Sequence, residues 1–198
     1  MKRLARCRFI SVIGAVWLSL HPALFAQERI FDVDPGQTRV DFTVGDVLHT
    51  VHGSFKVKQG AISIDPATGK AGGVVLVDAT SGESGSGARD RKMHKDILES
   101  AKYPEISIEP VRVSGNLSSS GESKIELQGN FKLHGSEHRV TLMAVVQING
   151  DEWSATMHLV VPYVSWGLKN PSTFILRVND TVDVDISARG RIRPPSAP

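Results

Sequence analysis

Along most of this 198-residue chain, apolar and polar side chains alternate with a period of two, as in strands with one buried face. An opening segment, Ile30 to Val44, turns at Pro35-Gly36 and then alternates Val40, Phe42 and Val44 with Arg39, Asp41 and Thr43. Gly45-Asp46 predicts a bend. Val47, His49, Val51, Gly53, Phe55 and Val57 continue the alternation to Lys58. Gly60 and the Asp65–Lys70 turn bracket a short strand carrying Ile62 and Ile64. Val74 to Ala79 is apolar on both faces, as in a strand covered on its second side. Later strands are expected at Glu105–Val113, around Ile125–Leu133, Val140–Ile148, Trp153–Val161 and Val182–Ala188. Turns at Ser114–Ser123, His134–His138 and Asn149-Gly150-Asp151 and a long loop, Pro162 to about Phe174, separate them.

One stretch breaks the rhythm. Met93, Ile97 and Ala101 recur at four-residue steps, and the spacing predicts a helix from Arg89 that ends before Pro104. Asp90 with His94 and Lys95 with Glu99 would pair on its outer surface. Ser81–Gly87, ahead of it, is too glycine-rich for helix or strand. The helix would cover the doubly apolar strand. About eight to ten strands with one apolar face each imply an all-β fold, a closed antiparallel barrel of about eight strands with one helix packed on it. A two-sheet sandwich fits the same pattern.

The N-terminus stands apart. Lys2, Arg3, Arg6 and Arg8 precede an apolar run, Phe9 to Leu20, too short to span a bilayer and stay there. Pro22 breaks the run and Ala26 offers a small residue for cleavage, so residues 1–26 are expected to be a secretory signal peptide and the protein periplasmic. The domain then runs over 27–193, with a short tail at 194–198. Removing the signal takes four of the 23 Lys and Arg and none of the 21 Asp and Glu, leaving a net charge of −2. The sequence pI of about 8.8 therefore belongs to the precursor. No basic patch remains for nucleic acid. The single cysteine, Cys7, leaves with the signal, and with it any disulfide or thiol chemistry. No insertion into the membrane is expected after processing, and homodimerisation is left open.

Reactive groups are poorly framed. His49 and His52 point to opposite faces of a strand. His134 and His138 flank a turn that could bring two imidazoles together. His94 and His158 stand apart from these, and neither a cofactor nor a metal is expected of the set. Serines lack a Gly-x-Ser-x-Gly elbow. Asp183 and Asp185 share the polar face of one strand, a solvated face before it is a catalytic pair. The inward faces offer more. Phe42, Val51, Phe55, Ile106, Ile108, Leu127, Phe131, Leu142, Ala144, Val146, Trp153, Ala155, Met157, Leu159, Val184 and Ile186 would line a lumen. Small residues among the inward positions, Gly53, Gly129, Ala144, Ala155 and Ala188, would leave it room. Side chains filling that lumen would instead make a structural domain, and a histidine cluster at a pocket a metal-dependent hydrolase.

The order of motifs resembles the YceI-like family of periplasmic polyisoprenoid-binding proteins. The pieces are Asp34 with Thr38-Arg39-Val40-Asp41-Phe42, then Val51-His52-Gly53-Ser54-Phe55, then Arg89-Asp90-Arg91 through Lys102-Tyr103-Pro104-Glu105-Ile106. Gly129-Asn130-Phe131-Lys132-Leu133-His134-Gly135, His138 and Val140-Thr141-Leu142 supply the clearest one. Together they run from about Phe31 to Arg193. The resemblance implies a lipocalin-like barrel that holds a long apolar chain, a polyisoprenoid or fatty-acid-like amphiphile, for carriage or storage. The sequence departs from the family at Gln37, where many members carry His, at Gly45-Asp46, and in the Pro162–Ser172 loop.

Overall fold

A computed structural model describes residues 28–45, 50–173 and 177–193. The expected signal peptide, Asp46 of the expected bend, residues 47–49 at the start of the next expected strand, and the tail lie outside the described residues. Among the described residues, nine antiparallel strands form one sheet: β1 (Arg29–Val33), β2 (Arg39–Gly45), β3 (Thr50–Ile64), β4 (Ala71–Glu83), β5 (Glu105–Gly115), β6 (Gly121–Leu133), β7 (Ser136–Asn149), β8 (Glu152–Val161) and β9 (Val182–Arg193). From β2 the order runs β9-β8-β7-β6-β5-β4, and β4 pairs with β3 to close the ring, so the fold is a barrel and not a sandwich. β1 and β2 are two halves of one stave. β1 pairs with Ala61–Ile64 of β3 and Gly190–Arg193 of β9, while β2 pairs with Thr50–Phe55 and Asp183–Ser187 of the same two strands. The barrel thus has eight staves built from nine strands.

The alternation sets which face turns inward. In β7, Val140, Leu142, Ala144, Val146 and Ile148 are buried, while Arg139, Thr141, Met143, Val145 and Gln147 between them are exposed. Two-residue turns keep register with the neighbours. His134 (φ 52) and Gly135 (φ 77) link β6 to β7, a doubly left-handed turn that suits glycine at its second place. Register slips where Pro110, which lacks an N–H, sits in β5 between its pairs with Gly129 and those that resume at Arg112. At Asp65, both carboxylate oxygens accept bonds from the turn, including Thr68 Oγ1 at 2.6 Å and Ala67 N at 2.9 Å. These bonds, the Thr68 hydroxyl first, hold the Asp65 carboxyl below its ordinary range.

Several expectations fail for physical reasons. Gly60 does not end a strand. β3 runs straight through it, and the missing side chain leaves room for Val75 of β4. β4 extends to Glu83, taking Ser81 and Gly82 into the sheet, because the Gly82 backbone lies under the Phe55 ring and Met93. The helix is short: α1 (Gly87–Lys92) passes into a π-helical turn, Met93–Ile97. It ends at Leu98, where Glu99 takes a left-handed φ of 46, well before Pro104. Ala101 is exposed beyond that end. Neither expected outer pair forms. Asp90 accepts from Ser84, His94 contacts Gly82 O (2.8 Å) and Ser100 Oγ (3.1 Å), and Glu99 bonds His134 (2.8 Å). The helix does not cover the outside of β4 either, since its residues border the interior of the barrel.

The two ends differ. At one, short turns join the strands and Phe31 meets Trp153, edge to face at 5.7 Å, with Ile148 of β7 paired to Trp153 and Ile125 of β6 also buried. Trp153 Nε1 donates to Asp32 O at 3.1 Å. At the other, residues 84–104 and 162–181 connect the strands.

Candidate ligand cavity

Inside the barrel lies a cavity of about 600 Å³, within the range of small-molecule pockets. All sixteen strand residues expected to face a lumen, from Phe42 to Ile186, border it. Their burial divides them by depth. Leu142, Ala144, Val146, Trp153, Ala155 and Leu159 are buried, whereas Val51, Phe55, Ile108, Phe131, Met157, Val184 and Ile186 are only half-buried despite facing inward. Inward residues pack incompletely where they front open space, so side chains do not fill this barrel. Ala144, Ala155 and Ala188 do border the space. The glycines do not make it. A Cβ on Gly53 would run into the Phe42 ring and the Glu83 carbonyl, and one on Gly129 would lie 2.7 Å from Glu109 O. Both serve close backbone approach.

The strand pattern missed what the connections contribute. Ala88, Arg89, Lys92, Met93, Ile97 and Leu98 border the cavity from the helical segment. Met93 and Ile97 belong to the predicted apolar stripe, which was the available signal. From the long loop come Tyr163, Leu168, Pro171 and Val178. Tyr163 Oη donates to Asn179 O at 2.8 Å, which ties the two limbs of that loop together. Burial, then the nearby Asp180 charge, pushes the Tyr163 phenol up to about 12.

His134 and His138 do not meet at their turn. His134 Nε2 lies 2.8 Å from Glu99 Oε2, and its ring sits 4.5 Å from that of Tyr103. His138 stacks flat on Trp166 at 4.0 Å, with Trp166 also against Phe131 at 5.7 Å. Each imidazole therefore anchors a different connection to the β6–β7 hairpin. His52 contacts Thr43 Oγ1 at 3.1 Å, and His158 lies between Asp185 (2.9 Å) and Asp183 (3.4 Å). The Asp185 hydrogen bond raises the His158 pKa; burial opposes it, and the Asp185 and Asp183 charges add to the rise. Asp183 and Asp185 thus share the solvated face expected of them and clasp His158 there, with side chains more than half or nearly half exposed. His49 lies outside the described residues. Among the described residues, no group of three or more His, Cys, Asp and Glu is placed to hold a metal ion.

The family model for the YceI-like domain matches residues 31–189. The chain belongs to the YceI-like family. Its YceI-like barrel is also similar to that of BcnA from Burkholderia cenocepacia, with a TM-score of 0.66 at 17% identity over 80% of this chain and 99% of that one. A polyisoprenoid binding domain from Saccharophagus degradans superposes with a TM-score of 0.62 at 14% identity, covering 83% of this chain and 98% of the domain. At the sequence level, a UPF0312 protein of Pseudomonas savastanoi pv. phaseolicola is 28% identical over 191 residues, covering 90% of this chain and 93% of the relative. Among the described residues of this YceI-like protein, no helix is long and apolar enough to cross a membrane.

Proposed function

We propose that this protein holds the long apolar chain of an amphiphile, a polyisoprenoid or fatty-acid-like lipid, inside its barrel for carriage or storage. The observation that carries this reading is the apolar cavity of about 600 Å³, bordered by the inward faces of the staves. Each Å² of lipid chain taken from water there contributes about 25 cal/mol. The name of the Saccharophagus relative, a polyisoprenoid binding domain, supports the same ligand class. The basic head and short apolar run of residues 1–26 support action in the periplasm after cleavage near Gln27, and intact mass of the exported protein tests that.

Ala155→Trp tests the lumen. Ala155 borders the cavity, so an indole at this position enters existing space. Uptake of a long-chain amphiphile should be abolished while the thermal unfolding midpoint stays close to that of the wild type. Early unfolding, by the roughly 1–3 kcal/mol of an overpacked core, together with no lipid bound to the wild type, would overturn the reading.

A further inference from the structure

The cavity border is apolar almost throughout, and its charge is confined to one place. Among the described residues that border it, the only charged side chains are Arg89 and Lys92, three apart on α1 and so on neighbouring positions of one helical surface. Both are held by neutral acceptors. Arg89 donates through Nε to Ser84 Oγ (2.7 Å) and through Nη2 to Ser84 O (2.6 Å). Lys92 Nζ donates to Pro171 O at 3.1 Å. Asp90 accepts from the same Ser84 hydroxyl. Among the described residues, no carboxylate forms an ion pair with either cation. A guanidinium has five N–H donors and an ammonium three, so three remain on Arg89 and two on Lys92. The pair is fixed in place and still has donors to give.

We propose that Arg89 and Lys92 seat the anionic head group, a carboxylate or a phosphate, of the amphiphile whose chain occupies the barrel. The inference deepens the proposed function and rests on it. An apolar wall lowers the local dielectric on the cavity side, so an anion reaching the two cations from within interacts more strongly than it would in water. The opposite orientation would carry the head group to the end closed by Phe31 and Trp153, where no charged side chain borders the cavity. The geometry therefore fixes a direction: tail inward, head at α1. A neutral head accepts the same hydrogen bonds without the charge, so selectivity falls between anionic and neutral heads on one chain.

The test uses the mature chain and N-phenyl-1-naphthylamine, a neutral fluorescent probe of apolar cavities. Displacement by dodecanoate, dodecyl phosphate and dodecanol is measured for the wild type, K92Q, R89Q/K92Q and R91Q, with thermal unfolding of each. In the wild type, one or both anions should displace the probe at concentrations at least tenfold below that of dodecanol. The preference should shrink in K92Q, vanish in R89Q/K92Q, weaken with added salt, and persist in R91Q, because Arg91 does not border the cavity. Preference for dodecyl phosphate alone assigns a phosphate head, and for dodecanoate alone a carboxylate. Equal displacement by all three, or a preference that survives in K92Q and R89Q/K92Q, overturns the head-group site and leaves the lumen standing. Failure of the probe and every amphiphile to enter the wild type overturns both.

Discussion

At one end of the barrel, turns of a few residues join the strands, and Phe31, Trp153, Ile125 and Ile148 are buried. At the other, residues 84–104 and 162–181 link the same strands through long connections whose contacts include Glu99 to His134, Lys92 to Pro171, and Trp166 on His138 and Phe131. The wall between them alternates along most of its length, with interruptions where β3 pairs β4 and at Pro110 of β5. The difference teaches that alternation determines which side chains face inward, while the plug at each end decides whether they meet a core or a cavity. Both ends pack rings, but at the second the buried Tyr163 and Leu168 and the Trp166 ring come from a connection and not from strands, and polar ties add to them.

Replacing a residue at each end separates the two. Trp153→Ala removes the Phe31 contact and the bond to Asp32 O, and should destabilise by about 3–5 kcal/mol in denaturant unfolding. Trp166→Ala, half-buried at the other end, should cost less: the roughly 0.5–1.5 kcal/mol of its ring pairs plus the smaller area it takes from water. Hydrogen exchange should then rise in residues 162–181 and not in β6 and β7. Equal losses from both substitutions would show that the connections are part of one cooperative core. The smallest effect belongs to the outer wall, which serves as the reference for both ends. His158 has a raised pKa in the folded state, so its contribution to stability is full below the unfolded value of about 6.5 and fades as pH rises through the folded value. Asp185→Asn should move the His158 titration, followed by NMR, back towards that ordinary value. An unmoved titration would assign the shift to Asp183.

The wall was legible because each stave is amphipathic by itself. The sixteen inward residues follow from alternation alone, a local property. What was not legible depends on partners distant in sequence. The helix stops at Leu98 because Glu99 adopts a left-handed φ while its carboxylate reaches His134 across the mouth, and no local signal marks a glutamate for that role. Gly60 reads as a break until Val75 is known to pack against it, and Gly53 reads as lumen space until Phe42 and Glu83 occupy the place. Arg89 and Lys92 look like ordinary charges on an exposed helical surface. Only the position of α1 against the cavity gives them a role.

The divided first stave has a kinetic consequence. β1 and β2 each hydrogen-bond to β9, and Thr38 Oγ1 meets Arg189 O across 151 residues. The ring therefore cannot close until β9 has been made. Until then both β2 and β8 have a bare strand edge. Contacts of such long sequence separation are entropically expensive to form early, which makes this a slow-closing topology. A chain arrested short of β9 is an open sheet with two adhesive margins.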